Sequence, residues 1–247
     1  MPIYPVRALP GLLGSFDLQG FLITLLVLCI SLSFHEMAHA FAAYRLGDDT
    51  AAQQGRLTMN PLAHLDPIGA IAFLIGGIGW AKPVPINPSR FKDSVSVKKG
   101  LMLTSLAGPL ANLLLAVVSV IFMFVAFTVE LMMAGTGTVL KILTSLFQTL
   151  YGANIVLAVF NLLPVPPLDG FKVFGSALPD RLYYHLMSYE RYIGLAFLII
   201  IIFARNALST VLGWIIWPFN QVLFNPILSF FTQLSHPIKG DCALINQ

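Results

Sequence analysis

Residues 16–44 form an unbroken stretch with no lysine or arginine, in which Asp17, His35, Glu36 and His39 are the only acidic or imidazole side chains. A helix of that length reaches on the order of 40 Å, more than the roughly 30 Å hydrocarbon layer of a bilayer. No small-residue cleavage site follows it, so it reads as a retained first span and not as a signal peptide. The rest of the chain agrees. Only 10% of its 247 residues are charged and 57% are hydrophobic, with a mean hydropathy of +0.82, whereas about a quarter of a soluble domain is charged. The sequence therefore predicts an all-α multispan membrane protein: one membrane-embedded domain over residues 1–247, with about five transmembrane helices and no soluble domain of ordinary size. Its surroundings are the lipid bilayer, and nucleic acid is not an expected partner. Cys29 and Cys242 are isolated and far apart, which indicates neither a disulfide framework nor a thiolate metal site.

Inside the first span stands Phe34-His35-Glu36-Met37-Ala38-His39. Residues four apart share one face of a helix, so His35 and His39 can present two imidazoles to one ion, with Glu36 beside them as a candidate general base. This is the His-Glu-x-x-His spacing of zinc hydrolases. Ionisable groups are costly in a membrane, and a chain that keeps three within five residues has a use for them. The plainer alternative is a polar patch lining a helix contact.

After Gly47-Asp48-Asp49 the sequence turns polar as far as residue 67. His64 and Asp66 in this loop are either extra ligands or gate residues, or turn residues whose side chains cap the backbone, which loop chemistry favours. Residues 68–80 are apolar but too short and glycine-rich for a span, and are expected to be re-entrant. They lead into Trp80-Ala81-Lys82-Pro83-Val84-Pro85-Ile86-Asn87-Pro88, where alternate prolines forbid a helix and fix an extended backbone. That stretch is either a short strand with one edge free to pair or a rigid surface loop. A second span is expected over residues 100–129, opening with Ala107-Gly108-Pro109-Leu110-Ala111-Asn112, whose small residues suit close helix packing. A third covers about 138–163, with Asn154 as polar lining or as packing glue. A surface helix over 171–188, further spans over 189–204 and 208–231, and a flexible polar tail over 235–247 complete the chain.

The third span ends in Asn161-Leu162-Leu163-Pro164-Val165-Pro166-Pro167-Leu168-Asp169-Gly170. A proline break is tolerated at membrane depth only where the freed backbone faces protein or a water-filled cavity, and Asp169 would lie in that cavity. Two histidines need at least one more protein ligand. Asp169 is the intramembrane carboxylate available after Glu36 and is expected to be the third ligand. With five alternating spans, eleven of the fourteen Lys and Arg fall on one side, which should be cytoplasmic, with the N-terminus outside and the C-terminus inside. The end of the first span and the Asp169 break both approach that face.

His35-Glu36-x-x-His39 in a first span, Gly108-Pro109-Leu110-Ala111-Asn112 opening a second and Asn161-x-x-Pro164-x-x-Pro167-Leu168-Asp169-Gly170 closing a third together resemble the site-2 protease family of intramembrane zinc metalloproteases. The similarity covers about residues 16–175, a catalytic core followed by accessory spans over 176–234. The resemblance implies one Zn2+ held by His35, His39 and Asp169, Glu36 as general base, and cleavage of a transmembrane helix in a partner protein, usually after a first cut by another protease. It also implies that Asn161 lines the site, either holding the oxyanion or substrate backbone or satisfying backbone groups freed at the proline break. The short chain matches forms without a PDZ domain. The competing class is a non-catalytic zinc-binding membrane protein or transporter, which would need several ligand sets along a path. A single cluster near one face is found.

Overall fold

The computed structural model describes residues 17–76, 79–133, 137–227, 229 and 230. The lead-in before residue 17, Gly77 and Ile78 of the glycine-rich segment, and the polar tail with Cys242 lie outside the described residues.

Helix α1, Leu18–Leu46, opens on Asp17, whose carboxylate accepts the Gly20 amide at 3.1 Å. It closes on Gly47, whose φ of 111° is strained for any residue with a Cβ. Two single turns follow, α2 at Thr50–Gln53 and α3 at Pro61–His64, and then α4 at Pro67–Gly76. An antiparallel bridge joins Leu65 to Ala81, and the Lys82 amide donates to the His64 carbonyl at 2.8 Å. The segment between them thus returns to the place where it started. Glycine makes the tight return possible, since a Cβ at Gly69 would lie 2.2 Å from the Trp80 carbonyl oxygen. Residues 82–87 are non-helical and end in a 3-10 turn, Pro88–Arg90; among the described residues they form no strand beyond that one bridge.

Two long helices come next, α5 at Val97–Met132 and α6 at Thr138–Asn161. The expected single surface helix over 171–188 is in fact two, α7 at Asp169–Gly175 and α8 at Asp180–Ser188. Pro179 explains the interruption: the residue before a proline is biased away from the helical region, and Pro179 itself is non-helical ahead of α8. Helix α9, Glu190–Phe203, falls where a fourth span is expected but has only 14 residues and meets α8 at a 64° bend. At that bend the Tyr189 amide turns back to the Leu186 carbonyl. Helix α10, Arg205–Phe219, continues through a π-helical turn, Asn220–Phe224. Among the described residues, four helices are long and apolar enough to cross a membrane, or five if α8 and α9 are one broken span. The multispan all-helical class holds, with four to five spans.

Helix α5 is the centre of the bundle and packs against α1, α6 and α7. Ile23 and Val27 of α1 meet Leu150 of α6, while Ala116, Val120, Met123 and Phe124 of α5 interlock with Tyr151, Ile155 and Val159 of α6. Leu22, Leu26, Leu114 and Phe122 face outward, as side chains in contact with lipid do. Lipid tails are as apolar as leucine, so such helices associate through close packing and interhelical hydrogen bonds. The fully buried Ser31, Asn112 and Asn154 supply the latter.

Candidate metal centre

The spacing of four on α1 is matched by one on α5. Thr104, Gly108 and Asn112 recur every four residues and therefore share a helix face. His39 Nδ1 lies 2.8 Å from the Thr104 carbonyl and His35 Nδ1 lies 2.5 Å from Asn112 Oδ1, so the two faces meet in antiparallel register. Gly108 sits between them. A Cβ there would stand 2.5 Å from His39 Cε1 and Nε2 and 2.6 Å from His35 Cε1, so only a glycine leaves room for both rings. Pro109 has no amide to offer the Ser105 carbonyl and opens the helix ladder next to Thr104.

These contacts fix the protons. A carbonyl only accepts, so His39 Nδ1 donates to Thr104. Asn154 Nδ2 donates to the Leu150 carbonyl at 2.8 Å, which turns its Oδ1 toward Asn112; Asn112 Nδ2 donates there at 2.7 Å and to the Ser31 carbonyl at 3.4 Å. Asn112 Oδ1 is thereby left to accept from His35 Nδ1. In its neutral form each imidazole consequently carries its hydrogen on Nδ1 and a lone pair on Nε2.

Asp169 completes the group. Gly170 lets the first turn of α7 press against the end of α6, for a Cβ there would lie 2.2 Å from the Leu162 carbonyl oxygen. Asp169 Oδ2 is 3.2 Å from each Nε2, and the two Nε2 atoms are 2.9 Å apart. The three donor atoms lie within 4.8 Å of one another, and both histidines are buried. Two lone pairs and a carboxylate oxygen facing one point repel unless a cation, either a proton or a metal ion, joins them. Neighbouring ligands of a tetrahedral zinc ion with bonds of about 2.0–2.1 Å are about 3.3 Å apart, close to the separations found. The nitrogen and oxygen donors fit zinc, and each histidine has the outer hydrogen-bond partner that such ligands require.

Glu36 is only partly buried, and its Oε2 accepts the Val84 amide at 2.9 Å. The non-helical segment 82–87 is held at three further points. Arg56 donates to the Lys82 carbonyl at 2.6 Å and to the Pro83 carbonyl at 3.3 Å, and the fully buried Asp48 accepts the Asn87 amide at 2.6 Å. The edge that alternate prolines leave able to donate is therefore turned toward the protein, with Lys82 on His64 and Val84 on Glu36. Asn161 stands at the end of α6 with its Nδ2 on the Leu157 carbonyl of the same helix, at 3.0 Å.

His64 is buried and donates from Nε2 to the Thr58 carbonyl, and Asp66 accepts the Gly69 amide; neither belongs to the three-residue group, and both cap local backbone. Sequence reasoning assigns Gly108 and Asn112 only to close packing and overlooks Thr104. The signal was the spacing of four between Thr104, Gly108 and Asn112, the same as that of the histidines.

Fold and site together define a multispan membrane protein with a buried His-His-Asp group of metallopeptidase type. The model of peptidase family M50 matches residues 23–204, and the chain belongs to that family, the site-2 protease family of zinc metalloproteases. It is 37% identical over 217 residues to "Putative zinc metalloprotease YwhC" of Bacillus subtilis (strain 168), covering 86% of this chain and 92% of that one. It is 28% identical over 200 residues to "Putative zinc metalloprotease Rip2" of Mycobacterium tuberculosis (strain H37Rv), covering 77% and 70%, and 30% identical over 159 residues to "Putative zinc metalloprotease MJ0611" of Methanocaldococcus jannaschii, covering 64% and 72%. No solved structure matches the chain at a significant level.

Proposed function

We propose that the protein is an intramembrane zinc endopeptidase that cuts peptide bonds within or beside transmembrane segments of other membrane proteins. The observation that carries this is the meeting of His35 Nε2, His39 Nε2 and Asp169 Oδ2 inside a helix bundle, with both Nδ1 hydrogens committed elsewhere. Zinc held by these three residues would supply Lewis acidity and bring the pKa of a water toward neutrality. Glu36 takes the proton of the attacking water and returns it to the leaving amine. The Val84 amide uses Oε2 alone and points the carboxylate along one direction. Asn161 is the candidate donor for the developing oxyanion, in which role it exchanges its bond to Leu157 for one to substrate.

A transmembrane helix hides its peptide bonds and must be opened before attack. Residues 80–88 are suited to hold the opened substrate as an added strand, and the donor edge described above makes this an exchange: the entering strand takes the Val84 amide and releases Glu36 for catalysis. Counting α8 and α9 as one span, the positive-inside rule supports a site toward the cytoplasmic face.

Purified protein in liposomes with a tagged single-span substrate provides the test. Cleavage that stops on chelation, resumes with zinc, and is accompanied by crosslinks from Ile86→Cys to the substrate is the expected result. Ile86 is the better probe, because the Val84 side chain is buried against Ala40 and Ala51. Cleavage unaffected by chelation would exclude the proposal, and crosslinks that never form would exclude strand addition.

A further inference from the structure

The Asn112 side chain links the metal group to a residue that never touches it. Three buried polar groups from three helices form one chain of bonds, from the Leu150 carbonyl through Asn154 and Asn112 to His35 Nδ1. Ser31 of α1 holds both amides from the side, accepting Asn154 Nδ2 on its Oγ at 2.8 Å and Asn112 Nδ2 on its carbonyl at 3.4 Å. Asn112, Asn154 and Ser31 are all fully buried.

A carboxamide can present either its oxygen or its nitrogen by rotating half a turn, and the two ends are nearly the same size. Presented with oxygen, Asn112 makes His35 carry its proton on Nδ1 and leaves Nε2 free to bind metal. Presented with nitrogen, it would make Nδ1 the acceptor and put the proton on Nε2, where it blocks coordination. Asn112 has little to decide between these by itself, because its contact with the Ser31 carbonyl is long. Asn154 makes the choice. Its own orientation is set by the Leu150 carbonyl, which can only accept, and it then offers Asn112 an oxygen at 2.7 Å.

We propose that Asn154 is a positioning residue for the metal site: by orienting the Asn112 amide it selects the His35 tautomer that can bind zinc. The inference rests on the zinc site proposed above. It also means that zinc affinity requires α1, α5 and α6 to be in register, since the polar chain has a link on each.

Zinc affinity, measured by competition with a chelator of known strength, is the readout and needs no substrate. Asn154→Leu, which keeps the branch at Cγ and removes both polar ends, is expected to weaken zinc binding by about 10- to 100-fold, as loss of an outer-shell partner does. Asn112→Asp presents an acceptor to His35 whichever way it turns, so adding it to Asn154→Leu is expected to restore binding. A residue that merely packs would not be bypassed in this way. Asn154→Asp keeps an oxygen facing Asn112 Nδ2 and loses only the donation to Leu150 and Ser31, so it is expected to bind zinc as the wild type does; it covers the case in which Asn154→Leu does not fold. Wild-type affinity in Asn154→Leu, a double variant as weak as the single, or Asp at position 154 as damaging as Leu would each overturn the proposal. Wild-type protein that binds no zinc, or that loses none on Asp169→Ala, would instead refute the underlying site.

Discussion

Gly108→Ala is expected to empty the metal site while leaving the bundle folded. The added methyl would sit 2.5–2.6 Å from atoms of both imidazole rings, where ordinary contacts need about an ångström more, and neither ring can retreat freely. His39 is tied to Thr104 on one side and His35 to Asn112 on the other. Relief requires either that the rings turn, which breaks those bonds, or that α1 and α5 separate, which draws the histidines away from Asp169. Zinc affinity should fall by at least about 10- to 100-fold, and overpacking should cost about 1–3 kcal/mol of stability. Gly152→Ala is the control: nothing outside its own helix backbone and chain neighbours lies within 4 Å of its added Cβ, and replacing glycine inside a helix stabilises by roughly 0.5–1 kcal/mol, so this variant should keep zinc and gain stability. Both are measured by chelator competition and thermal unfolding in detergent. Equal zinc affinity in the two variants would show that the helix faces do not meet as described.

Glu36→Gln is expected to reduce cleavage by about a hundred- to ten-thousandfold while zinc binding is unchanged. The substitution is informative because glutamine retains an oxygen for the Val84 amide, so the segment around Val84 stays anchored and only the proton acceptor is lost. Glu36→Ala removes the anchor as well and should also loosen residues 80–88. Single-turnover cleavage in liposomes separates these effects, and substantial turnover by Glu36→Gln would contradict the assignment of the base.

The histidine pair was legible because a period of four in an apolar helix has one geometric meaning. Asp169 was legible because carboxylates are so scarce in this chain. The long spans could be read from length and hydropathy. The partner face on α5 could not be read in full, since spacing shows which residues of a helix lie together and not which helix they meet; Gly108 and Asn112 suggested close packing without revealing that the packed objects are imidazoles. The break at Pro179 is masked in the sequence by the mixed composition around it. The 64° bend at Tyr189 has no comparable mark, because no proline or glycine stands at the junction and apolar length favoured a simple span. For residues 80–88, alternate prolines say which amides are able to donate, but not whether the stretch pairs as a strand or which side of the protein those amides face, which depends on Glu36, Asp48 and Arg56 from far earlier in the chain.

The most direct measurement is the zinc content of detergent-purified protein by elemental analysis, wild type beside Asp169→Ala. About one zinc per wild-type chain, lost or greatly weakened in the variant, is expected if α1 and the first turn of α7 close around one ion. Zinc retained in full by Asp169→Ala, or absent from well-folded wild-type protein, would contradict it.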